Sequence, residues 1–328
     1  MRYFCTYFDH RYLSRGLALY YSLRKHCSNF KLFILCLSQE CYEILKQRKE
    51  LENVLLLQLN EIENGDEELL KAKQNRSLIE YYFTITPSFI LYILNNFNEV
   101  DFLTYLDADL YFFSDPEPIF EEIGNSSIVI TPHRFPPRLK HFEKFGVYNV
   151  SWLSFRKDEN GLKCLRWYRE RCNEWCYDRV EDDKFADQKY LEKFELLFEK
   201  VHVIQHKGAN VAPWNIENYK LTIMGSKIYV DNQPLVFYHF HGLRKFTSFL
   251  YDSGFAAYGS KFTRIIRNNI YLPYVRELKR IEENLNFRSK EPLGRSILSK
   301  YFPSILANFP RLIRALYSNS YFFTHEYF

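Results

Sequence analysis

The sequence predicts an α/β fold with a parallel sheet and crossover helices, and three observations support this. Apolar runs typical of strands alternate with helical segments through the first third of the chain. The hydrophobic content of 47% is that of an ordered globular protein. The length of 328 residues allows either one large core or two domains.

The first third of the chain contains the regular part of this pattern. Strands are predicted at 2–8, 30–37 and 53–59 and from 102 into the segment that carries Asp107 and Asp109, and helices at 17–26, 39–49 and 77–97. Pro87 is expected to kink the last helix or to lie in its first turn. The polar stretch 61–75 fits a loop or a surface helix. Strands that alternate with helices in this way indicate parallel strands joined by crossover connections.

The pattern becomes mixed after residue 109. A turn is predicted at 114–118, short strands at 127–131, 149–156, 201–205 and 235–240, and helices at 161–177 and 184–193. From about residue 247 the chain is basic and helical, and 301–328 is aromatic and interrupted by prolines. We therefore expect an α/β domain over 1–246 and a basic, aromatic, mostly helical extension over 247–328.

The net charge of +4 is too small to indicate nucleic-acid binding by itself, but it is unevenly distributed. Residues 261–314 contain 12 Lys and Arg against 4 Asp and Glu. This region either faces an acidic partner or keeps an apolar tail soluble. A helical pair packed on the domain is one structural interpretation of the extension, and contact with an anionic membrane is the other.

The seven cysteines have neither the spacing of a disulfide framework nor that of a zinc site, which indicates a reducing compartment. The N-terminus enters a strand-like run without a signal-peptide pattern. No uninterrupted apolar run reaches the length of about 18 residues that a membrane span needs. We expect a cytoplasmic protein, located at the inner face of the plasma membrane if the extension contacts lipid.

Two carboxylates, Asp107 and Asp109, follow the apolar run that ends at Leu106. Alternate strand residues share a face, so both carboxylates are expected to point into one site at the end of a sheet strand. Such a pair suits a hard divalent cation that holds a diphosphate. A pair of solvated turn carboxylates is the alternative interpretation.

A second candidate segment lies near residue 240. His239 and His241 alternate with aromatic residues, and Gly242 allows the backbone to turn close to a ligand. Arg244 and Lys245 follow directly, as a diphosphate site requires. An imidazole beside two carboxylates suits Mn²⁺ or a similar ion. A core histidine pair beside a basic turn is the alternative.

The third candidate segment is the loop after the first strand. Tyr12 is positioned to stack on a nucleotide base, and Asp9 to form a hydrogen bond with it. An ordinary loop between the first strand and the first helix explains the same residues.

Together these segments resemble the GT-A-fold, nucleotide-sugar-dependent glycosyltransferases, above all those of family 8 and their bacterial relatives. The matching elements are Asp9-x-x-Tyr12 with Phe8 in place of a threonine, Tyr105-Leu106-Asp107-Ala108-Asp109, and the His-Phe-x-Gly-x-x-Lys pattern from His239 to Lys245. The resemblance covers about residues 2–245. It implies the GT-A fold, a Rossmann-like mixed sheet flanked by helices, here with a C-terminal helical extension.

The resemblance also implies roles for individual residues. Asp109 and His239 would be metal ligands, with Asp107 binding the metal or the ribose. The other residues implied to meet the nucleotide-sugar are Thr6, Phe8, Asp9, Tyr12, Arg76, Ala108, Gly242 and Lys245, of which Lys245 would contact the diphosphate. Asp187 and Gln188 match an Asp-Gln pair beside the sugar pocket and are the predicted catalytic residues. Asn149, Asn210 and Trp214 are predicted to line the sugar or acceptor pocket, although a structural turn capped by asparagine also explains the 208–215 loop.

Two departures from the family pattern indicate a divergent branch. Phe83 stands where the family often has an arginine in the helix before the metal element, and Arg76 is the candidate substitute. Phe246-Thr247 replaces the Pro-Trp that usually follows the late lysine.

The function implied by the resemblance is a metal-dependent glycosyltransferase that uses Mn²⁺ or Mg²⁺. It would move a sugar from a nucleotide-diphosphate donor to a glycan or lipid-linked acceptor in bacterial surface polysaccharide synthesis. Similarity to family 8 favours retention, with Gln188 near the anomeric carbon. An inverting enzyme would instead need a carboxylate base, for which Asp187 is the candidate.

Two other functional classes fit part of the sequence. A haloacid-dehalogenase-like phosphatase also has Asp-x-Asp after an apolar strand. In that class, however, the element lies near the start of the chain, and a later Gly-Asp-x-x-x-Asp element is not evident here. A non-catalytic sugar-nucleotide-binding scaffold is the third class. Activity assays distinguish the three classes. A glycosyltransferase releases a nucleoside diphosphate, and a phosphatase releases phosphate from a phosphomonoester. A scaffold binds the nucleotide without either reaction.

Overall fold

The computed structural model describes residues 1–285 and 320–324. The strands are β1 Arg2–Phe8, β2 Phe30–Cys36, β3 Val54–Gln58, β4 Phe102–Leu106, β5 Leu110–Phe112, β6 Ile128–Pro132, β7 Tyr148–Arg156, β8 Val201–Val203, β9 Leu221–Met224, β10 Lys227–Val230, β11 Gln233–Pro234, β12 Phe237–His239, β13 Arg244–Lys245, β14 Leu250–Asp252 and β15 Tyr321–Phe323. The α-helices are α1 Leu13–His26, α2 Gln39–Lys46, α3 Leu59–Glu63, α4 Glu67–Asn75, α5 Leu78–Asn96, α6 Glu117–Ile123, α7 Glu159–Glu174, α8 Phe194–Leu197, α9 Arg264–Ile266 and α10 Leu272–Asn284. Short 3₁₀ segments lie at His10–Tyr12, Pro137–Phe145, Gln188–Lys193, Ile216–Asn218 and Phe255–Ala257, and a π-helical turn at Arg267–Tyr271.

A seven-stranded sheet forms the centre of the molecule, with strand order β3-β2-β1-β4-β7-β6-β8. Strands β1 to β4 pair in parallel, as the alternation of strands and helices predicts. Strand β7 runs antiparallel to both β4 and β6, so the sheet is mixed. The predicted Rossmann-like mixed sheet is therefore confirmed.

Helices cover both faces of this sheet. Phe4 and Cys5 of β1 belong to different apolar clusters, because successive strand residues face opposite sides. Helix α1 packs in the first cluster, and α5 and α7 pack in the second. Ser77 caps α5 reciprocally with Glu80, and Pro87 lies inside that helix rather than in its first turn. The polar stretch 61–75 is mostly helical, in α3 and α4.

A two-stranded sheet joins distant parts of the chain beside the main sheet. Strand β5 pairs antiparallel with β12, which places Leu110 opposite His239. The hydroxyl of Ser22 in α1 accepts a hydrogen bond from the backbone N–H of Phe112 at 3.1 Å, which ties β5 to α1. Asp109 and His239 therefore lie close together although 130 residues separate them in the sequence.

The described part of the predicted extension contains both helices and strands. Helix α10 packs on α1, and β15 pairs with β14 in a three-stranded sheet. Phe322 of β15 is 3% exposed and packs against Tyr251. The stretches 286–319 and 325–328 of the predicted extension lie outside the described residues. None of the helices in residues 1–285 and 320–324 is long and apolar enough to cross a lipid bilayer.

Candidate active site

A cavity of about 880 Å³ lies where β1 and β4 end. Ligands bind at this edge of open α/β sheets. Eleven of the residues predicted from the sequence line the cavity: Phe8, Asp9, Tyr12, Asp107, Ala108, Asp109, Asn149, Asp187, Gln188, Trp214 and His239. Segments that are far apart in the sequence thus meet around one space large enough for a small-molecule ligand.

Asp107, Asp109 and His239 form the centre of the candidate site. Nε2 of His239 lies 3.1 Å from Oδ1 of Asp109 and 3.8 Å from Oδ2 of Asp107. One ligand atom from each residue lies within 4.8 Å of the other two. The Tyr105 hydroxyl donates a hydrogen bond to Oδ1 of Asp107 at 3.0 Å, which helps to orient that carboxylate.

The two carboxylates reach this site from a turn and not from a strand. Strand β4 ends at Leu106, and the backbone N–H of Leu110 donates to the carbonyl of Asp107 at 3.2 Å. The prediction that Asp107 and Asp109 alternate along one strand is therefore wrong, although both side chains do enter one site. The local reason is that the chain turns after β4 so that β5 can pair with β12.

Burial and mutual charge shift the ionisation of this cluster. Burial raises the pKa of Asp107 to about 6, although His239 acts in the opposite direction. Burial alone would raise the pKa of Asp109, but His239 and Arg15 hold that pKa below its ordinary value. Burial would lower the pKa of His239, yet Asp109 and Asp107 raise it. Without a metal ion, the two carboxylates therefore favour the protonated form of His239.

The donor set fits a divalent metal ion. Two carboxylates and an imidazole are suitable ligands for Mn²⁺ and similar ions. His239, not His241, belongs to the three-residue cluster. The ring of His241 lies 5.8 Å from that of His239, and burial together with His239 lowers the pKa of His241 to about 4.

The loop after β1 contributes an exposed aromatic ring. The Asp9 carboxylate accepts hydrogen bonds from the backbone N–H of Arg11 at 3.0 Å and from its Nη2 at 2.7 Å. Asp9 thus caps the 3₁₀ segment that begins at His10. Tyr12 lines the cavity and is 40% exposed, so its ring is accessible to a stacking ligand.

Asp187 and Gln188 lie in the same cavity and are held differently. Asp187 is 4% exposed, and burial together with Asp107 raises its pKa to about 7. Nε2 of Gln188 donates to the carbonyl of Phe145 at 2.9 Å, and Oε1 of Gln188 accepts from Nδ2 of Asn149 at 3.2 Å. The Asn149 amide group also lies 3.2 Å from Nε2 of His133. This network fixes the orientation of the Gln188 side chain.

The 208–215 loop places Trp214 in the cavity and Asn210 behind it. Nε1 of Trp214 donates to the carbonyl of His133 at 2.9 Å, and the Trp214 ring lies 5.2 Å from that of His239. Asn210 is fully buried with φ 56°, and Oδ1 of Asn210 accepts from the Ser151 hydroxyl at 3.1 Å. Asn210 therefore stabilises the turn and does not line the pocket.

Four other predicted residues do not line the cavity. Lys245 forms an ion pair with Glu282 of α10 at 2.5 Å and is not among the cavity-lining residues, so its predicted diphosphate contact stays a prediction. The guanidinium of Arg76 lies 3.9 Å from the ring centre of Tyr177 and does not replace the family's arginine in the cavity. Thr6 is fully buried. Gly242 lies in the turn after β12 and has a φ of 77°, a left-handed backbone conformation that other residues adopt only with strain.

Arg15 is a site residue that the sequence does not single out. Its guanidinium donates to the Tyr12 hydroxyl at 2.6 Å and to the carbonyl of Leu243 at 2.6 Å. It also lies 3.9 Å from Oδ2 of Asp109. Arg15 therefore connects three segments of the site. The sequence signal that could have identified Arg15 is its position three residues after Tyr12, because side chains with this spacing are neighbours on a helix.

Comparison with solved structures identifies the fold class. The galactosyltransferase LgtC, solved in complex with donor and acceptor sugar analogues, matches with a TM-score of 0.54 and 14% identity. The match covers 85% of this chain and 95% of LgtC. The molecule thus has the GT-A fold of glycosyltransferases, and the predicted resemblance to that fold class is confirmed.

Comparison of sequences identifies the family within this class. The chain is 34% identical over 280 residues to the uncharacterized protein YfnD of Bacillus subtilis (strain 168), covering 84% of this chain and 88% of YfnD. It is also 34% identical over 251 residues to the uncharacterized protein YfnF of the same strain, and this match covers 74% of this chain and 81% of YfnF. The chain belongs to the family of YfnD and YfnF. No family model matches the chain.

Proposed function

We propose that this protein is a metal-dependent glycosyltransferase that moves a sugar from a nucleoside-diphosphate donor to a glycan or lipid-linked acceptor. The observation that carries the proposal is the meeting of Asp107, Asp109 and His239 in one cavity of a GT-A fold. The phosphatase alternative is not favoured, because this fold is that of glycosyltransferases.

The proposed roles follow from the positions of the side chains. Asp107, Asp109 and His239 would hold Mn²⁺ or Mg²⁺, and an imidazole ligand favours Mn²⁺. When bound, the ion supplies positive charge for the departing nucleoside diphosphate. The ring of Tyr12 provides a stacking surface for the base, and Arg15 holds Tyr12 and Asp109 in position.

The positions of Asp187 and Gln188 support a retaining reaction. Burial and Asp107 raise the pKa of Asp187 to about 7, a value that suits a general base, so this carboxyl is kept as the base that an inverting reaction would need. Asn149 and the backbone carbonyl of Phe145 fix the Gln188 amide, which suits a group that lies against the transferred sugar. We therefore assign Gln188 to the sugar and keep Asp187 as the base only for an inverting reaction.

The cellular role is part of the same proposal. A donor activated by a nucleotide and an acceptor that is a glycan or a lipid-linked sugar fit bacterial surface polysaccharide synthesis. The predicted cytoplasmic location, with contact at the inner face of the plasma membrane through the basic extension, fits a lipid-linked acceptor.

A thermal-shift screen of nucleotide-sugars with and without Mn²⁺ tests the proposal. A bound donor raises the melting temperature by mass action, and we expect this rise to require Mn²⁺. Release of nucleoside diphosphate from the same donor is the second measurement. Asp109→Asn is expected to remove the Mn²⁺-dependent rise, whereas Asp101→Asn, at an exposed position, should keep it.

Two results would contradict the proposal. One is release of phosphate from phosphomonoesters without release of nucleoside diphosphate, which would indicate a phosphatase. The other is nucleotide-sugar binding without turnover under any acceptor condition, which would indicate a scaffold.

A further inference from the structure

We propose that one side of the cavity is an acceptor-binding surface that stacks on a neutral sugar ring, an inference that rests on the proposed glycosyltransferase function. We call this surface the aromatic wall. It consists of Phe135, Phe142, Phe145, Phe185, Trp214 and Tyr258, all of which line the cavity.

The aromatic wall is continuous from the metal cluster to the Asp187–Gln188 pair. Ring centres are separated by 5.2 Å for His239 and Trp214, 5.8 Å for Trp214 and Tyr258, 5.5 Å for Tyr258 and Phe142, 6.1 Å for Phe142 and Phe145, and 4.9 Å for Phe145 and Phe185. Phe135 stacks on Phe142 at 5.9 Å. Phe185 lies two residues before Asp187. A molecule on the wall would therefore lie along the edge of the reaction centre.

Five of the six rings are partly exposed, the exception being the buried Trp214. Phenylalanine side chains are usually among the most buried in a protein, so a row of accessible ones in a cavity indicates a ligand. The C–H bonds on a sugar ring face carry small positive charges and contact the negative face of an aromatic ring favourably. Asn149 and Gln188 add hydrogen-bonding groups at one end, as is typical of specific small-molecule sites.

Hydrogen bonds hold the 3₁₀ segment Pro137–Phe145, which carries Phe142 and Phe145 of the wall. Arg138 donates to the carbonyl of Tyr258 at 2.5 Å and to the Ser260 hydroxyl at 2.9 Å. Nζ of Lys189 donates to the carbonyl of Glu143 at 3.0 Å, and Gln188 donates to that of Phe145. The 3₁₀ segment 137–145 is thus tied to two other parts of the chain. A surface that is ordered before binding costs less conformational entropy when the ligand arrives.

The charge of the wall favours a neutral acceptor. Among the cavity-lining residues in the described part of the chain, Arg11 is the only lysine or arginine, and its guanidinium pairs with Asp9. Nζ of Lys144 lies 4.9 Å from the ring centre of Phe145, but Lys144 is not among the residues that line the cavity, so the cavity side of the wall presents no lysine or arginine to a uronate or a phosphate. The carboxyl groups of Asp178 and Asp187, which are not assigned to the metal ion, also line the cavity and would disfavour an anionic acceptor ring.

Binding of methyl glycosides tests the inference directly. Saturation-transfer NMR on the full-length protein with diamagnetic Mg²⁺ and nucleoside diphosphate would compare neutral methyl hexosides and their disaccharides with methyl glucuronides. We expect the neutral sugars to bind and the glucuronides to bind at least tenfold more weakly. Phe142→Ala should lower the affinity for neutral sugars about five- to tenfold, the effect of one lost aromatic contact. Phe142→Trp should restore it.

The control variant is Phe249→Ala, which removes an exposed phenylalanine outside the cavity and should leave the sugar affinity unchanged. Equal binding of glucuronides, or no loss in Phe142→Ala, would overturn the inference. Affinity that grows only with alkyl chain length, from methyl to octyl glycosides, would assign the wall to a lipid tail and also overturn it. A wild-type protein that binds no nucleotide with Mn²⁺ would instead contradict the proposed function.

Discussion

At the scale of single residues, the site is dominated by carboxyl groups that are poorly hydrated. Asp187 is the clearest example, because burial and Asp107 raise its pKa to about 7 from an ordinary value of 3.8. Between these two values the folded state holds a proton that the unfolded state has lost. Stability from this group is therefore present at low pH and is lost as the pH rises toward 7.

Asp187→Asn should abolish this pH dependence, because an amide cannot ionise. We compare the free energy of unfolding of the variant with that of wild type in metal-free protein. The difference, variant minus wild type, should be ~2–3 kcal/mol larger at pH 8 than at pH 5, because wild type loses stability over this range and the variant does not. Urea denaturation at the two pH values measures the difference, with the exposed Asp101→Asn as the matched control. An identical difference at both pH values would show that Asp187 ionises normally.

At the scale of elements, local sequence pattern predicts what local contacts determine. Strand β1 has its predicted bounds, since its apolar run is bracketed by polar residues. The turn at Asp107 to Asp109 was interpreted as strand because its shape depends on the pairing of β5 with the distant β12. The position of Lys245 depends on Glu282, and the aromatic wall depends on four separate segments. Such contacts leave no periodic signal in the sequence.

Strand β15 also depends on distant contacts, because it pairs with β14. Substitution of its two adjacent phenylalanines, Phe322 and Phe323, tests whether the strand docks in this way. Phe322 is 3% exposed and packs on Tyr251 and Phe262, whereas Phe323 is 49% exposed. Phe322→Ala should cost about 3 kcal/mol of unfolding free energy through lost burial and a cavity. Phe323→Ala should cost about 0.5 kcal/mol or less. Chemical denaturation of the two variants measures both, and equal losses would argue against docking of this strand.

At the scale of the whole molecule, the elements on either side of residues 286–319 pack on the rest of the chain. Helix α10 precedes this stretch and β15 follows it. It contains six Lys and Arg against one acidic residue. Removing residues 295–328 would also delete Phe322, so truncation would confuse membrane contact with loss of stability.

Charge reversal is the sharper test of membrane contact. Replacing Lys300, Arg311 and Arg314 with glutamate should weaken binding to anionic liposomes at least tenfold, because each cation near such a surface contributes about 1 kcal/mol. A control variant with Lys49, Lys71 and Lys227 replaced by glutamate carries the same net charge change at exposed positions. Sedimentation with phosphatidylserine vesicles measures both. Equal binding of the two variants would contradict a membrane role for the extension.

The pairing of β5 with β12 has a consequence for metal binding. An ion held by Asp109 and His239 would act as a clip across a chain loop of 130 residues. These two residues come together only in the folded chain, so part of the free energy of ion binding would become free energy of folding. Supply of the metal ion would then raise the stability of the folded protein as well as its capacity to hold a substrate.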